Sequence, residues 1–445
     1  MGIFIKKRIS CILSVAVVFF CVVFSEAQER ERVPVADLLY DIEHPDAERR
    51  RQAVILLGRH EIRQAVPALI KATEDEDQSI RFESLRALVR IQDMRALQTY
   101  IRLVDDDRKV VRLKAVEGIV GVYVGESGGF SSEIKKVLQF DDYNPAVVES
   151  YITVSEDAIA SLVKLLSSSD SKIREEASSA LGALRARSAI PAIEKALERE
   201  VNDRVKVELI RSIYKIGDKL SGEILIPFIL DSDKKVHDEA IFALGRLGVK
   251  KAVPQLKELY DSGVEESRKI LGVVPISGKD DLQRKLFEAL AYIGDPLTTN
   301  LFVNGLQDEQ DFYRRYGAEG LGRIGDPAYV TEVARKYLRE SSEAVKLAMG
   351  FAIFHMGRDE HLVEMIDNVL KEQVFHYFLE LNSQDIKKLY SYIESEKPEI
   401  RVALLEIVGL RGDQSALTVV ERMTKHPNLD ISASASLAAR RLHGP

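Results

Sequence analysis

Tryptophan is absent from this 445-residue chain, and its only two cysteines, Cys11 and Cys21, both fall within the first 27 residues. Everything downstream therefore lacks disulfide staples, thiol nucleophiles and cysteine metal ligands. Long apolar runs are missing as well. The one candidate, Cys11–Phe24, is shorter than the roughly 20 residues that a membrane-spanning helix needs, so no integral span is expected in the mature chain. No segment sustains the period-two alternation with β-branched enrichment that marks strands, which makes the expected fold all-α. Positive excess is lacking too. The formal charge is −7, and an acidic, tryptophan-free chain is a poor partner for nucleic acid.

The first 27 residues differ from the rest. Lys6, Lys7 and Arg8 precede the apolar run, and Ser25-Glu26-Ala27 offers small residues at the −3 and −1 sites. This pattern predicts a secretory signal peptide cleaved before Gln28, with a periplasmic or secreted product; a retained N-terminal anchor is the competing reading. Phe20 stands where a lipoprotein signal carries a small residue ahead of its cysteine, which argues against lipidation.

What the chain does have is a period. Arg50, Arg81 and Arg112 recur every 31 residues, and Arg174, Lys206, His237, Arg314, Lys346 and Arg401 continue the ladder, with one insertion on the way. A repeat of that length marks a solenoid, whose units bury their apolar faces only against neighbours. Ile173, Ala177, Ala180, Leu181 and Leu184 reappear as Val236, Ala240, Ala243, Leu244 and Leu247. Steps of three and four put each set on one face of a helix, here termed A. Ala189, Ile190, Ile193, Ala196 and Leu197 return as Ala252, Val253, Leu256, Leu259 and Tyr260, a second amphipathic helix, B. Pro67, Pro191, Pro227 and Pro254 are expected in the first turn of B, where a missing N–H is harmless. Asp46, Asp77, Asp170 and Asp233, each four residues before a ladder position, are placed to cap helix A. Gly217-Asp218, Gly294-Asp295, Gly325-Asp326 and Gly412-Asp413 are expected to close A and turn the chain into B.

The motif Asp-x-x-Val/Ile-Arg-x-x-Ala-x-x-Ala-Leu-Gly-x-Leu, followed by Ala-Ile/Val-Pro-x-Leu, resembles the HEAT repeat, and more closely its short PBS-lyase HEAT-like form. It is clearest at Asp170–Leu197 and Asp233–Tyr260, and recognisable at Asp46–Ala72, Asp77–Leu103, Leu282–Leu306 and Phe312–Tyr337. It weakens at Ala344–Leu370 and Ile400–Met423, and is degenerate around Asn144–Leu166 and Gln373–Ile393; Ile431–Leu442 reads as a closing half repeat. The resemblance implies an armadillo-type α-solenoid, a right-handed superhelix of helix pairs whose concave surface is lined by B helices. On that reading the chain comprises a leader (1–27), a first repeat block (28–263), an insertion (264–281) and a second block (282–445) that is degenerate near 371–395.

Two stretches break the period. Val264–Asp281 supplies the 15-residue surplus between His237 and Gln283, and is either a binding rim or a neutral surface insertion. Val122–Phe130 is glycine-rich. Three motifs suggest chemistry and fail on context. Gly125-Glu126-Ser127-Gly128-Gly129 matches the nucleophile turn of hydrolases, but that turn works atop a parallel sheet, and helical repeats flank Ser127. Gly320-Leu-Gly322-Arg-Ile-Gly325 matches a dinucleotide fingerprint without the preceding strand, and coincides with the end of an A helix. His355 and His361 have no helical metal-ligand spacing. No catalytic residue, metal or cofactor is expected.

The basic ladder itself has two readings, an anion-binding stripe or a set of bridges between units; the resemblance implies the second. Phe375, Tyr377, Phe378, Tyr390 and Tyr392 either fill irregular packing or form a peptide-binding patch. The expected function is an exported, non-catalytic scaffold that binds a protein along its concave surface through Lys71, Tyr100, Arg102, Lys164, Lys195 and Lys257. An enzyme or enzyme subunit, and a structural part of an envelope assembly, are the alternatives.

Overall fold

The computed structural model describes residues 35–124, 147–261, 279–394 and 397–444. The leader, the Ser127 turn and residues 264–278 of the insertion lie outside the described residues. Among the described residues every regular element is helical, and no helix is long and apolar enough to cross a membrane. The chain divides into two compact units, Met1–Ala96 and Leu97–Pro445. This division falls inside a repeat, between a 3-10 turn and the B helix that follows it, whereas the sequence suggested a boundary at the insertion.

In the first unit Val35–Asp41 precedes the A helix Ala47–Arg59, the 3-10 turn Arg63–Ala65, the B helix Val66–Ala72 and the A helix Gln78–Ile91. The second unit repeats the scheme. Its A helices are Lys109–Val124, Ser171–Ala183, Asp203–Ile216, Lys234–Leu247, Lys279–Ile293, Asp311–Ile324, Glu343–His355, Glu372–Leu379, Pro398–Arg411 and Leu429–His443. Short B elements separate them, among them Leu97–Leu103, Glu156–Leu165, Ile190–Arg199 and Val330–Tyr337.

Local chemistry explains where each helix starts and stops. The carboxylates of Asp46, Asp77, Asp170 and Asp233 accept from backbone N–H groups two or three residues on, so all four are N-caps. Gly217, Gly294 and Gly325 end their helices at φ of 76°, 59° and 71°, a conformation glycine adopts without strain. Gly412 departs from the pattern. Its backbone is extended (φ −68°, ψ 176°), and the turn is held by Asp413, whose carboxylate accepts from the Ser415 N–H. Pro67 and Pro191 occupy the first turn of their B helices. Pro227 does not: Ser221–Leu230 is wound entirely as 3-10 helix, with the proline in its interior.

Helix A is the packing spine. Within each unit most adjacent A helices contact one another extensively, the step from Glu343–His355 to Glu372–Leu379 being the exception, whereas successive B elements barely touch. At several steps a glycine near the end of helix A allows this approach. A Cβ on Gly182, Gly245, Gly322 or Gly409 would lie 2.7–2.9 Å from the backbone Cα of Ser212, Ala289, Ala352 or Ala438 on the next A helix. Gly58 meets Ala87 in the same way within the first unit. Backbones approach closely where both residues are small, and the bulkier B elements then splay on the other side. The glycines of Gly320-Leu-Gly322 serve this packing; Gly320 lies flat against the Phe302 ring. Glycine to alanine inside a helix normally stabilises by about 1 kcal/mol. At Gly245 the sign should invert, because overpacking against Ala289 costs roughly 1–3 kcal/mol. We expect Gly245→Ala to lower the melting temperature by several degrees in a calorimetric scan; an increase would contradict the packing described.

Candidate functional site on the inner face of the second unit

The ladder is a set of clamps. Arg174 donates through Nη1 to the carbonyls of Ser168 and Ser169 in the turn before its own helix. Its Nε and Nη2 form a fork on Glu200, each at 2.8 Å, at the turn before the next A helix. Arg314 repeats this on the Asp308 and Glu309 carbonyls and on Glu340, and Arg50 on the His44 and Pro45 carbonyls and on Asp75. Burial pushes the carboxyls of Asp75, Glu200 and Glu340 up, but their arginines and backbone N–H partners reverse this and hold all three below the usual range.

Variants of the clamp fill the other steps. Arg81 and Arg112 keep the carbonyl half, on Asp75 and Glu76 and on Asp106 and Asp107 respectively. Lys206 pairs with Asp231 at 3.0 Å. His237 is buried with Nδ1 against the Ile229 carbonyl, and burial lowers its pKa. Arg401 meets His426 where other steps have a carboxylate, and the Lys346 ammonium lies over the Tyr337 ring. Arg174→Met would leave the buried Glu200 carboxylate without its fork. We expect a loss of about 1–3 kcal/mol, read as a lower denaturation midpoint, and a smaller loss for Arg81→Met.

The expected surface on the B helices is only partly a surface. Tyr100 is fully buried, with its ring packed against Gly118, so the assignment of Tyr100 as an outward contact is wrong. Its aromatic ring fills the space that a glycine on the neighbouring A helix leaves open. Lys71 and Lys164 are exposed and paired with Glu43 and Asp105. Lys257 pairs with Asp261 on its own helix, and Arg102 and Lys195 are exposed. Lys195 also lines a groove of about 430 Å³ between Glu156–Leu165 and Ile190–Arg199, together with Arg199 and the Arg174–Glu200 pair.

Inside the second unit the arrangement reverses the expectation that B helices line the concave side. Arg323, on the A helix Asp311–Ile324, forks onto Glu380 at 2.7 and 2.8 Å, 57 residues away. Tyr377 donates to Glu319 at 2.6 Å across 58 residues. Each contact passes over the intervening A helix Glu343–His355. Side chains can meet across a skipped repeat only on the inner side of a tight bend, so A helices line that side. The close approaches of Gly182, Gly245, Gly322 and Gly409 to the next A helix shorten the A edge at their own steps.

Two charged clusters occupy this face. In the first, Glu319 is fully buried and accepts from Arg315 (2.9 Å), Arg323 (3.1 Å) and Tyr377. Burial pulls its pKa up, but the two guanidinium groups and the phenol outweigh it and hold the carboxyl below its ordinary value. In the second, Arg441 of the last helix forks onto Glu149 at 2.7 and 2.8 Å, a separation of 292 residues in sequence, and also reaches Glu406 at 2.5 Å. Val148 donates its N–H to the Ala183 carbonyl at 2.8 Å, so the strap carrying Glu149 joins an early A helix to the last one. Burial and the neighbouring Glu149 raise the Glu406 carboxyl, against the pull of Arg441.

Phe375, Tyr377 and Phe378 are buried in this region, while Tyr390 and Tyr392 are half-buried. His355 packs on Phe351 at 4.3 Å, whereas His361 stacks on Tyr337 at 3.8 Å, so the two rings are committed to different aromatic partners. Sequence reasoning overlooked a second register row. Lys215, Arg246, Tyr292, Arg323 and His355 each stand two residues before a left-handed glycine, at Gly217, Gly248, Gly294, Gly325 and Gly357. The parallel Gly-Arg-Leu-Gly and Gly-Arg-Ile-Gly endings at 245–248 and 322–325 were the available signal.

Residues 35–119 match the model for HEAT repeats, and residues 173–199 and 236–262 match the PBS lyase HEAT-like repeat. No curated protein matches. Among solved structures, the chain is similar to the complex of CpcE and CpcF of phycocyanin lyase from Nostoc sp. PCC7120, at 16% identity and a TM-score of 0.31, covering 74% of this chain and 96% of that one. It is also similar to importin beta in an ammonium sulfate condition, at 13% identity and a TM-score of 0.42, covering 91% of this chain and 68% of that one.

Proposed function

We propose that this chain, a HEAT-repeat protein with PBS lyase HEAT-like units, acts as a non-catalytic scaffold that binds a protein partner. The observation that carries the reading is the division of its charged groups. Glu319 and Glu406, whose carboxyls could serve acid–base work, are spent on ion pairs with Arg323 and Arg441 within the fold. Lys195 and Arg199 instead face solvent beside a groove already open between two B helices. A preformed surface of this kind lowers the ordering cost of binding.

Affinity purification of the native chain, followed by quantitative binding to the recovered partner, tests the proposal. Charge reversal of Lys195 and Arg199 together should weaken that binding at least tenfold while leaving the helical content unchanged. Recovery of a turnover activity by the chain alone would overturn the non-catalytic reading. The PBS lyase HEAT-like units favour a second reading, an accessory subunit of an enzyme, in which the recovered partner is catalytic and slows when the chain is removed. Export belongs to the same proposal and rests on Lys6–Arg8 and the run after them. N-terminal sequencing of the native protein should begin at Gln28, and an intact Met1 would reject it.

A further inference from the structure

Arg246 and Arg323 hold the same place in their repeats, yet their surroundings differ. Arg323 is satisfied by Glu319, four residues before it, and by the fork on Glu380. Four residues before Arg246 stands Phe242, and the Arg246 guanidinium has no hydrogen bond or ion pair among the described residues. Its Nε is fully buried without an acceptor. It is nonetheless held in one orientation, 3.9 Å above the Tyr292 ring centroid and 5.3 Å from that of Phe242. Leaving such a donor unmatched is costly in the interior of a fold. Tyr214 packs edge-on against Phe242 at 5.4 Å, the ring that Arg246 also approaches. The Tyr214 side chain has no hydrogen-bond partner among the described residues.

We propose that Arg246, with Tyr214 beside it, anchors a carboxylate of an external ligand on the inner face of the second unit. The protein supplies its own template for the complex. What Glu380 does for Arg323 within the chain, a ligand carboxylate does for Arg246, where the internal acid is missing. A planar fork matches a carboxylate in two parallel hydrogen bonds, and the ring beneath it keeps that fork aimed. This site goes beyond the scaffold reading: it serves a small acid or an acidic side chain of a partner equally. His376 provides a reporter. Burial and the Arg246 charge push its pKa down to about 4, with Arg315, Glu319 and Glu380 also facing it.

Calorimetric titration of the full chain with succinate and with the peptide Glu-Glu-Glu tests the site, using inorganic phosphate as the competing oxyanion. Saturable binding of either acid is expected, weakened at least tenfold by Arg246→Gln and unchanged by Arg204→Gln, an exposed arginine on the helix that carries Tyr214. Binding of the peptide alone places the carboxylate on a protein; binding of both includes small acids. His376, followed by ¹³C-edited NMR, should titrate at higher pH once the acid is bound, because a new negative charge faces Arg246. Should Arg246→Gln fail to fold, Tyr214→Phe is expected to weaken binding at least threefold. No saturable binding of either acid, tighter binding of phosphate than of both, or affinities indifferent to these two positions would overturn the proposal.

Discussion

Replacing Arg441 with methionine is expected to destabilise the second unit by about 3–5 kcal/mol, because it strands two carboxylates that the fold has already taken out of water. Arg441 and Glu406 each keep only 1% of their side-chain surface exposed, and Glu149 keeps 9%. One guanidinium serves both acids. Its loss removes the attraction and leaves the Glu149–Glu406 repulsion. The effect should be local before it is global: hydrogen exchange in Leu429–His443 and around Val148 should accelerate most, since those segments are joined through this pair. Glu406→Gln should be milder, because it removes the carboxyl that burial already holds toward its neutral form. Equal protection of the last helix in Arg441→Met and in the parent would show that the pair contributes nothing to closure.

The second large effect is expected at Glu319. Alanine there leaves Arg315 and Arg323 facing each other without their shared carboxylate and takes away the Tyr377 acceptor, again a loss of about 3–5 kcal/mol. The same site sets an acid limit. Because the folded carboxyl titrates below its unfolded value, its contribution is complete above the usual glutamate range of about 4.3. It disappears as pH falls through the lower folded value. Melting temperatures measured from neutral to acid pH should therefore fall less steeply in Glu319→Gln than in the parent, from a lower starting point. Parallel pH profiles would remove Glu319 from the account.

The helix pairs were legible because repetition multiplies weak signals. A single Asp before an apolar run is ambiguous, but Asp46, Asp77, Asp170 and Asp233 in register are four copies of one cap. The ladder arginines were legible for the same reason. Curvature was not. Which edge of a repeat is shorter depends on how closely two backbones approach, and that rests on pairs such as Gly245 and Ala289 whose partners are named only by the fold. Tyr100 failed as a surface residue because the pattern showed a polar tip but not the Gly118 hollow that takes its ring. The Arg441–Glu149 pair was beyond reach from sequence altogether, since no period links residues 292 apart across the unit.

The A helices form the inner side of the second unit, whose strap and last helix meet through Arg441 and Glu149. Pulsed electron–electron resonance between spin labels at Ser150 and Ser436, both exposed, reads that meeting directly in a chain with Cys11 and Cys21 replaced by serine. One short, narrow distance distribution is expected, broadening in Arg441→Met. A long or broad distribution in the parent, unchanged by that substitution, would contradict it.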